Sequence, residues 1–171
     1  TVRPEYAGTP IYVLAGFRSA MIAAKMGLGV VLGGPVSIQE AAARVYREHA
    51  LADAPPIISS LNIAVADTSA AARDLLLPEA YAKVLAQSTG EFAALRPAGE
   101  LDMDALTGQQ RRRIEEALAH DVWGTVEEVG EELRDVGKRL GVSEFVVTGD
   151  MPDVAGRARS EELLASLQAQ N

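Results

Sequence analysis

Thr9-Pro-Ile-Tyr-Val-Leu-Ala-Gly-Phe-Arg-Ser-Ala-Met-Ile-Ala-Ala-Lys-Met-Gly-Leu28 reads as a strand, a tight turn and a helix. Ile11, Tyr12, Val13 and Leu14 form an unbroken β-prone apolar run, as in a strand buried on both faces. Gly16 is where the backbone is expected to turn. Arg18 and Ser19 fall where the first amides of the next helix lack intrahelical partners. Open N–H groups, a hydroxyl and a guanidinium at a helix start make an anion site, most often for phosphate.

Further strands are expected at Val30–Leu32, Ile57–Val65, Val122–Trp123 and Glu144–Thr148, after a first at Ile11–Ala15. Helices are expected at Arg18–Met26, from Ser37 to about His49, from Ala70 to about Ala86, over Gly108–His120, from Thr125 to just before Gly141, and over Ser160–Gln168. Ser37-Ile-Gln-Glu40, Thr107-Gly-Gln-Gln110 and Thr125-Val-Glu-Glu128 have the capping-box spacing, in which two side chains satisfy orphan amides. Pro78 predicts a kink or restart in the third helix. Strands alternating with helices indicate an α/β chain with a parallel sheet and crossover helices. An open doubly wound sheet and part of a (β/α)8 barrel both satisfy this pattern. A full barrel takes about 250 residues, so 171 residues suit half of one. The irregular stretch 88–106, with Gly90, Pro97, Gly99 and three acids, reads as a lid or as a solvated connection within a single domain spanning 1–171.

The composition is globular: 48% hydrophobic and 23% charged residues, with a formal net charge of -8. That charge disfavours nucleic acid and anionic membrane as partners. There is no cysteine, hence no disulfide, thiolate metal site or cysteine nucleophile; a cytoplasmic location fits. No apolar run is long enough to span a bilayer, and no basic-then-apolar leader is seen. A first residue other than methionine suggests processing or truncation. His49 and His120 have no ligand-spaced partner, so no metal site is expected. Glu127, Glu128, Glu131 and Glu132 read as a solvated helix face, and Arg111–Arg113 as surface cations near Glu115 and Glu116. Trp123 reads as core. No serine elbow, Walker loop or Gly-x-Gly-x-x-Gly fingerprint is present. The first helix is apolar nearly all round, which calls for neighbours on more than one side.

Four blocks together resemble the bacterial luciferase-like flavin monooxygenases, specifically the carboxy-terminal half of their barrel. They are Pro10-Ile-Tyr-Val-Leu-Ala…Ser19-Ala…Ala23-Ala24…Gly27-Leu28; Asn62-Ile-Ala-Val-Ala-Asp67-Thr68 with Ala71-Ala72-Arg73; Trp123-Gly124-Thr125-Val-Glu-Glu128; and Glu144-Phe-Val-Val-Thr148…Asp153-Val-Ala155…Arg157-Ala-Arg159-Ser160-x-Glu162-Leu-Leu-Ala165. The resemblance implies a TIM-type half-barrel. It implies reduced flavin mononucleotide (FMN), or the deazaflavin F420, as cofactor, with oxygen and a small organic substrate. It places the cofactor phosphate on Ala15, Gly16, Phe17, Arg18 and Ser19. The family's catalytic histidine belongs to the amino-terminal half, so no residue here inherits a catalytic role. Strand carboxyl ends face the active site in barrels. Thr148, Gly149 and Asp150 therefore either line the substrate pocket or form a plain turn. A half-barrel leaves unpaired edge strands. An amino-terminal half-barrel fragment or a homo-oligomer is the expected partner. The alternative activity is non-catalytic: flavin or phosphate-ligand binding without turnover, or a structural subunit.

Overall fold

A computed structural model describes residues 9–168, and the chain divides into two units: 1–60 with 136–146, and 61–135 with 147–171. The strands are β1 (Tyr12–Ala15), β2 (Gly29–Leu32), β3 (Ile57–Val65), β4 (Val122–Gly124) and β5 (Glu144–Thr148). The helices are α1 (Phe17–Lys25), α2 (Val36–His49), α3 (Ser69–Thr89), α4 (Gly108–Leu118), α5 (Val126–Leu140) and α6 (Val154–Gln168). β3, β5 and α5 each contribute residues to both units.

In the first unit β1, β2 and the start of β3 lie parallel in that order. The rows are Val13–Val30–Ile57, Leu14–Val31–Ile58 and Ala15–Leu32–Ser59. Side chains alternate across a sheet. The Val13–Val30–Ile57 row faces the helices and forms a core with Ala20, Ala23, Ala24, Ala42, Ala43 and Tyr46. Five alanines, three on α1 and two on α2, let the two helices approach the sheet closely. Gly29 makes room for its neighbour on β1: a Cβ there would lie 2.5 Å from the ring of Tyr12, with which it is in register.

Gln39 ties this unit together. It is fully buried, and its Nε2 donates to the Gly34 carbonyl at 2.8 Å and the Ser60 carbonyl at 3.2 Å. Its Oε1 accepts from Ser59 Oγ at 2.7 Å. Every polar atom of the amide is therefore used, and the β2–α2 loop is held against β3. This corrects the expected Ser37 capping box. α2 starts at Val36, after Pro35, so Ser37 is already inside the helix and no side chain caps it.

In the second unit the end of β3 pairs parallel with β4, through Ile63–Val122, Ala64–Trp123 and Val65–Gly124; β5 also pairs with β3. α3 and α4 bury Leu75, Leu76, Leu77, Tyr81, Ile114 and Leu118 against Ala64. Trp123 packs on this core and donates Nε1–H to the Leu118 carbonyl at 3.0 Å, as a core tryptophan should. α3 runs on through Pro78, which is buried, rather than restarting there. The 88–106 stretch contains a short 3₁₀ turn, Ala98–Glu100, and lays Ala98, Leu101, Met103 and Leu106 on the α3 core. Buried Ser160 of α6 accepts the Val65 amide at 2.8 Å.

Replacing Gln39 with alanine leaves the buried Ser59 hydroxyl without its acceptor and takes the side-chain donor from the part-buried Gly34 and Ser60 carbonyls. Each unsatisfied group costs about 1–3 kcal/mol. Gln39→Ala should therefore lower the urea unfolding free energy by about 2 kcal/mol or more. A loss within experimental error would show that the amide network does not hold the loop.

Candidate functional site

Ala15 ends β1 and is buried, while Gly16, Phe17 and Arg18 are exposed. The first helical bond of α1 runs from the Ala20 amide to the Gly16 carbonyl, 2.9 Å. The amides of Phe17, Arg18 and Ser19 therefore precede the ladder, and none has an acceptor among the described residues. The Gly16 amide is different: it donates to Ser19 Oγ at 3.0 Å. The Ser19 hydroxyl in turn donates to the Gly16 carbonyl at 3.3 Å. Ser19 thus closes one amide of the corner and leaves three open.

Gly16 does not turn the chain by using a glycine-only conformation. Its φ of -96° is open to any residue. What the glycine provides is room, since a Cβ at this position would meet nothing within 4 Å. The backbone stays bare in front of the α1 amides.

The end of β2 adds to this corner. Leu32 is in register with Ala15, so Gly33 and Gly34 follow β2 beside the place where Gly16 follows β1. Gly34 has φ +84°, a conformation that favours glycine, and open space around it. α2 then begins with no side-chain cap. Its Ile38 and Gln39 amides turn back to the Pro35 carbonyl, which leaves Val36 and Ser37 with free N–H groups. Two uncapped helix starts therefore sit at adjacent strand ends. Their partial positive charges and the Arg18 guanidinium favour an anion. Sequence reading placed the α1 half of this arrangement. It missed the α2 half because Ser37-Ile-Gln-Glu40 matched a capping box.

The second unit treats its helix starts in the opposite way. Thr68 Oγ1 accepts the Ala71 amide, and Thr107 Oγ1 accepts the Gln110 amide, both at 3.2 Å. Asp153 Oδ1 accepts the Gly156 amide at 3.0 Å. Glu128 accepts the Thr125 amide at 2.8 Å and the Ser69 hydroxyl at 2.6 Å, so one carboxylate serves the starts of both α5 and α3. These bonds hold its pKa below the ordinary carboxylate value, the Ser69 bond foremost.

Thr148, Gly149 and Asp150 belong to this unit and are engaged within it. Thr148 Oγ1 donates to Asn62 Oδ1 at 2.8 Å, and the Asp150 amide donates to Glu79 Oε2 at 3.4 Å. Gly149 has φ +118°, and a Cβ there would stand 3.0 Å from Leu76 Cδ2. The chain of contacts continues from Asn62 Nδ2 to Asp121 Oδ1, 3.1 Å. Burial raises the Asp121 pKa, against the Asn62 hydrogen bond; Glu79 raises it further, while Lys83 and His120 lower it. Near α3, an apolar cleft of about 190 Å³ lies between Pro78, Tyr81, Leu85, Leu95 and Leu101. Among the described residues no cluster of side chains is arranged to hold a metal, and no helix is long and apolar enough to cross a membrane.

The sequence pattern of the luciferase-like monooxygenases matches residues 1–144. The chain belongs to this family. Its fold is likewise that of solved luciferase-like barrels. Apo-MsnO8 superposes with a TM-score of 0.77 at 22% identity, over 100% of this chain and 55% of that one. The oxygenating constituent of 3,6-diketocamphane monooxygenase from the CAM plasmid of Pseudomonas putida, solved with FMN, gives 0.64 at 16% identity, over 95% and 48%. An F420-dependent secondary alcohol dehydrogenase gives 0.55 at 18%, over 92% and 48%. No curated protein matches by sequence. This luciferase-like chain thus spans about half the length of the solved relatives it matches, as a half-barrel would.

Asp121 makes a signed pH test of the second unit. The folded state holds its proton more tightly than the unfolded chain does. Its contribution to stability is therefore present below the ordinary carboxylate pKa and is lost as pH rises through the raised folded-state value. Asp121→Asn should gain on the wild type in urea unfolding as pH rises above the ordinary carboxylate pKa of about 4. A stability difference that stays constant over that rise would contradict the assignment.

Proposed function

We propose that this chain is the cofactor-phosphate half of a flavin-dependent monooxygenase that uses reduced flavin and oxygen on a small organic substrate. One observation carries the reading: the open amides of Phe17, Arg18 and Ser19, beside Arg18 and a bare Gly16 backbone, at the carboxyl end of β1. This donor set suits a phosphate monoester. Three N–H groups and a guanidinium can each give a charge-assisted hydrogen bond to its oxygens. Ser19 Oγ would turn its proton outward from the Gly16 carbonyl to join them. Family membership and a relative solved with FMN favour FMN. The F420-dependent relative keeps a deazaflavin as the alternative. The cofactor, when bound, supplies the redox chemistry; the residues of this corner bind and orient it. We read 1–171 as one half-barrel domain, with 88–106 as its lid or insertion. Thr148, Gly149 and Asp150 are kept as a candidate wall of the substrate pocket, on their place after the last strand.

A second reading has its own support. The two turns of the corner, 15–19 and 33–37, contain no carboxylate and no histidine to act as an acid or base. A flavin or phosphate ligand bound without turnover is consistent with that, as is a structural subunit whose corner stays unused.

Titration with FMN should quench flavin fluorescence with saturable 1:1 stoichiometry. Arg18→Ala should weaken binding about tenfold or more, while Lys25→Ala, at the far end of α1, should leave it unchanged. Binding with flavin-dependent oxygen consumption favours the monooxygenase, and binding without it favours the second reading. Absence of FMN and F420 binding would end the monooxygenase and the ligand-binding readings and leave the structural subunit.

A further inference from the structure

One line of hydrogen bonds in the second unit has its direction fixed by elementary chemistry. Ile63 of β3 pairs with Val122 of β4, which sets Asn62 beside Asp121 one row earlier. Asn62 Nδ2 donates to Asp121 Oδ1 at 3.1 Å, and Thr148 Oγ1 donates to Asn62 Oδ1 at 2.8 Å. Asn62 and Asp121 are half-buried, and Thr148 is exposed at the end of β5. Gly149 lets the chain pass close by, since a Cβ on it would lie 3.6 Å from Asn62 Cβ. An ionised carboxylate only accepts hydrogen bonds. Asp121 therefore takes the Nδ2 side of the amide, which leaves Oδ1 facing Thr148. A threonine hydroxyl has one proton, and Oδ1 receives it. Thr148 then turns only lone pairs outward.

We infer that Asn62 and Asp121 are positioning residues that fix Thr148 as a hydrogen-bond acceptor while Asp121 is ionised, so that this wall selects a ligand group carrying a donor, a hydroxyl or an N–H, over a bare carbonyl or ether. The inference rests on the reading of Thr148 as a wall of the substrate pocket and names the chemistry of that wall. A purely structural tie between β3 and β5 would need the bond but not its direction; the carboxylate dictates the direction. Protonation lifts the constraint. A carboxylic acid can donate to Asn62 Oδ1 while the amide turns Nδ2 towards Thr148, whose own proton is then free. Asp121 is faced by Glu79 and Lys83 of α3 and by His120 just after α4. Lys83 is itself paired with Glu79 at 2.6 Å. Burial, foremost, and Glu79 hold the proton on Asp121 to a higher pH than an ordinary carboxylate keeps it.

The test follows the full chain, labelled with carbon-13 and nitrogen-15, by NMR from about pH 8 to about pH 4. The Asp121 carboxyl, the Asn62 side-chain amide and the Thr148 methyl should shift with one shared midpoint. In Asn62→Ala the Thr148 shift should no longer follow Asp121. In Asp121→Asn the Asn62 and Thr148 titrations should both be lost, which separates this carboxylate from His120 and Glu79. Ethanol, which donates, and acetone, which only accepts, then probe the wall. At about pH 8 ethanol should act on Thr148 at about threefold lower concentration than acetone, and Asn62→Ala should abolish the difference. A Thr148 signal that ignores Asp121, or that titrates equally in either variant, overturns the inference. So does an equal response to the two probes, or a stronger one to acetone. A shared titration with no response to either probe overturns it too, and locates the failure in the pocket-wall reading, not in the amide line.

Discussion

A parallel strand must pass its chain to a helix at its carboxyl end, and each such passage leaves backbone amides that need an acceptor. How each amide is answered separates the two units of this protein. In the second unit the chain answers from within: Thr68, Thr107, Glu128 and Asp153 each place an oxygen on a helix start. In the first unit, α1 and α2 start at neighbouring strand ends with most of those amides open. An exposed amide is satisfied by water, so the arrangement is stable without a ligand. It is also the arrangement in which an anion exchanges water for several donors at once. A site that had to expel its own capping carboxylate, as the Glu128 corner would, is a much poorer receptor.

The open corner depends on a buried one. The Gly33–Gly34 turn bears no side chain to fix it, and its backbone is positioned instead by Gln39, which reaches from α2 to the Gly34 carbonyl and to β3. The same amide occupies Ser59, the residue in register with Leu32 and hence in the row that Ala15 begins. A single buried glutamine thus links the loop, the third strand and the first turn of α2. Loss of that link would move the α2 start relative to the β2 end before it disturbed the apolar core. Precision at the proposed binding corner would come from a satisfied polar group in the interior, which is where such groups constrain geometry most strongly.

Much of the fold could be read from the chain because its signals are local. β3 and β5 span the stretches Ile57–Val65 and Glu144–Thr148 that the sequence marks as strands, and α4 and α5 start where threonine is followed three residues later by glutamine or glutamate. The misses share a cause. Ser37-Ile-Gln-Glu40 has capping-box spacing, yet Pro35 starts the helix one residue earlier and Gln39 is drawn inward by Ser59 and Gly34, partners 20 and 5 residues away in sequence. α6 begins at Val154 because Asp153 caps it, a lone aspartate with no glutamate at the paired position to announce it. Gly16 turns the backbone where the sequence places the turn, but with a φ of -96° that any residue can adopt, and the open space around it is visible only in the structure. Local spacing finds the helices; which side chain abandons its local role for a distant partner is decided by tertiary contacts.

The net charge of -8 sets a further condition on any anion that uses the corner. At physiological ionic strength charges are screened over about 8 Å, so the acidic residues of the chain repel a phosphate weakly at a distance and cannot steer it inward. Attraction therefore has to come from groups within contact range. Arg18 is the one cation in the turn, and the remaining donors are backbone amides, whose direction is set by the helix. Such a receptor discriminates by geometry more than by charge. A small tetrahedral dianion can meet several diverging N–H groups together, while a polyanion gains nothing beyond its one inserted phosphate and meets the acidic surface with the rest. The same charge balance that disfavours nucleic acid thus favours a single compact phosphate group at the proposed site.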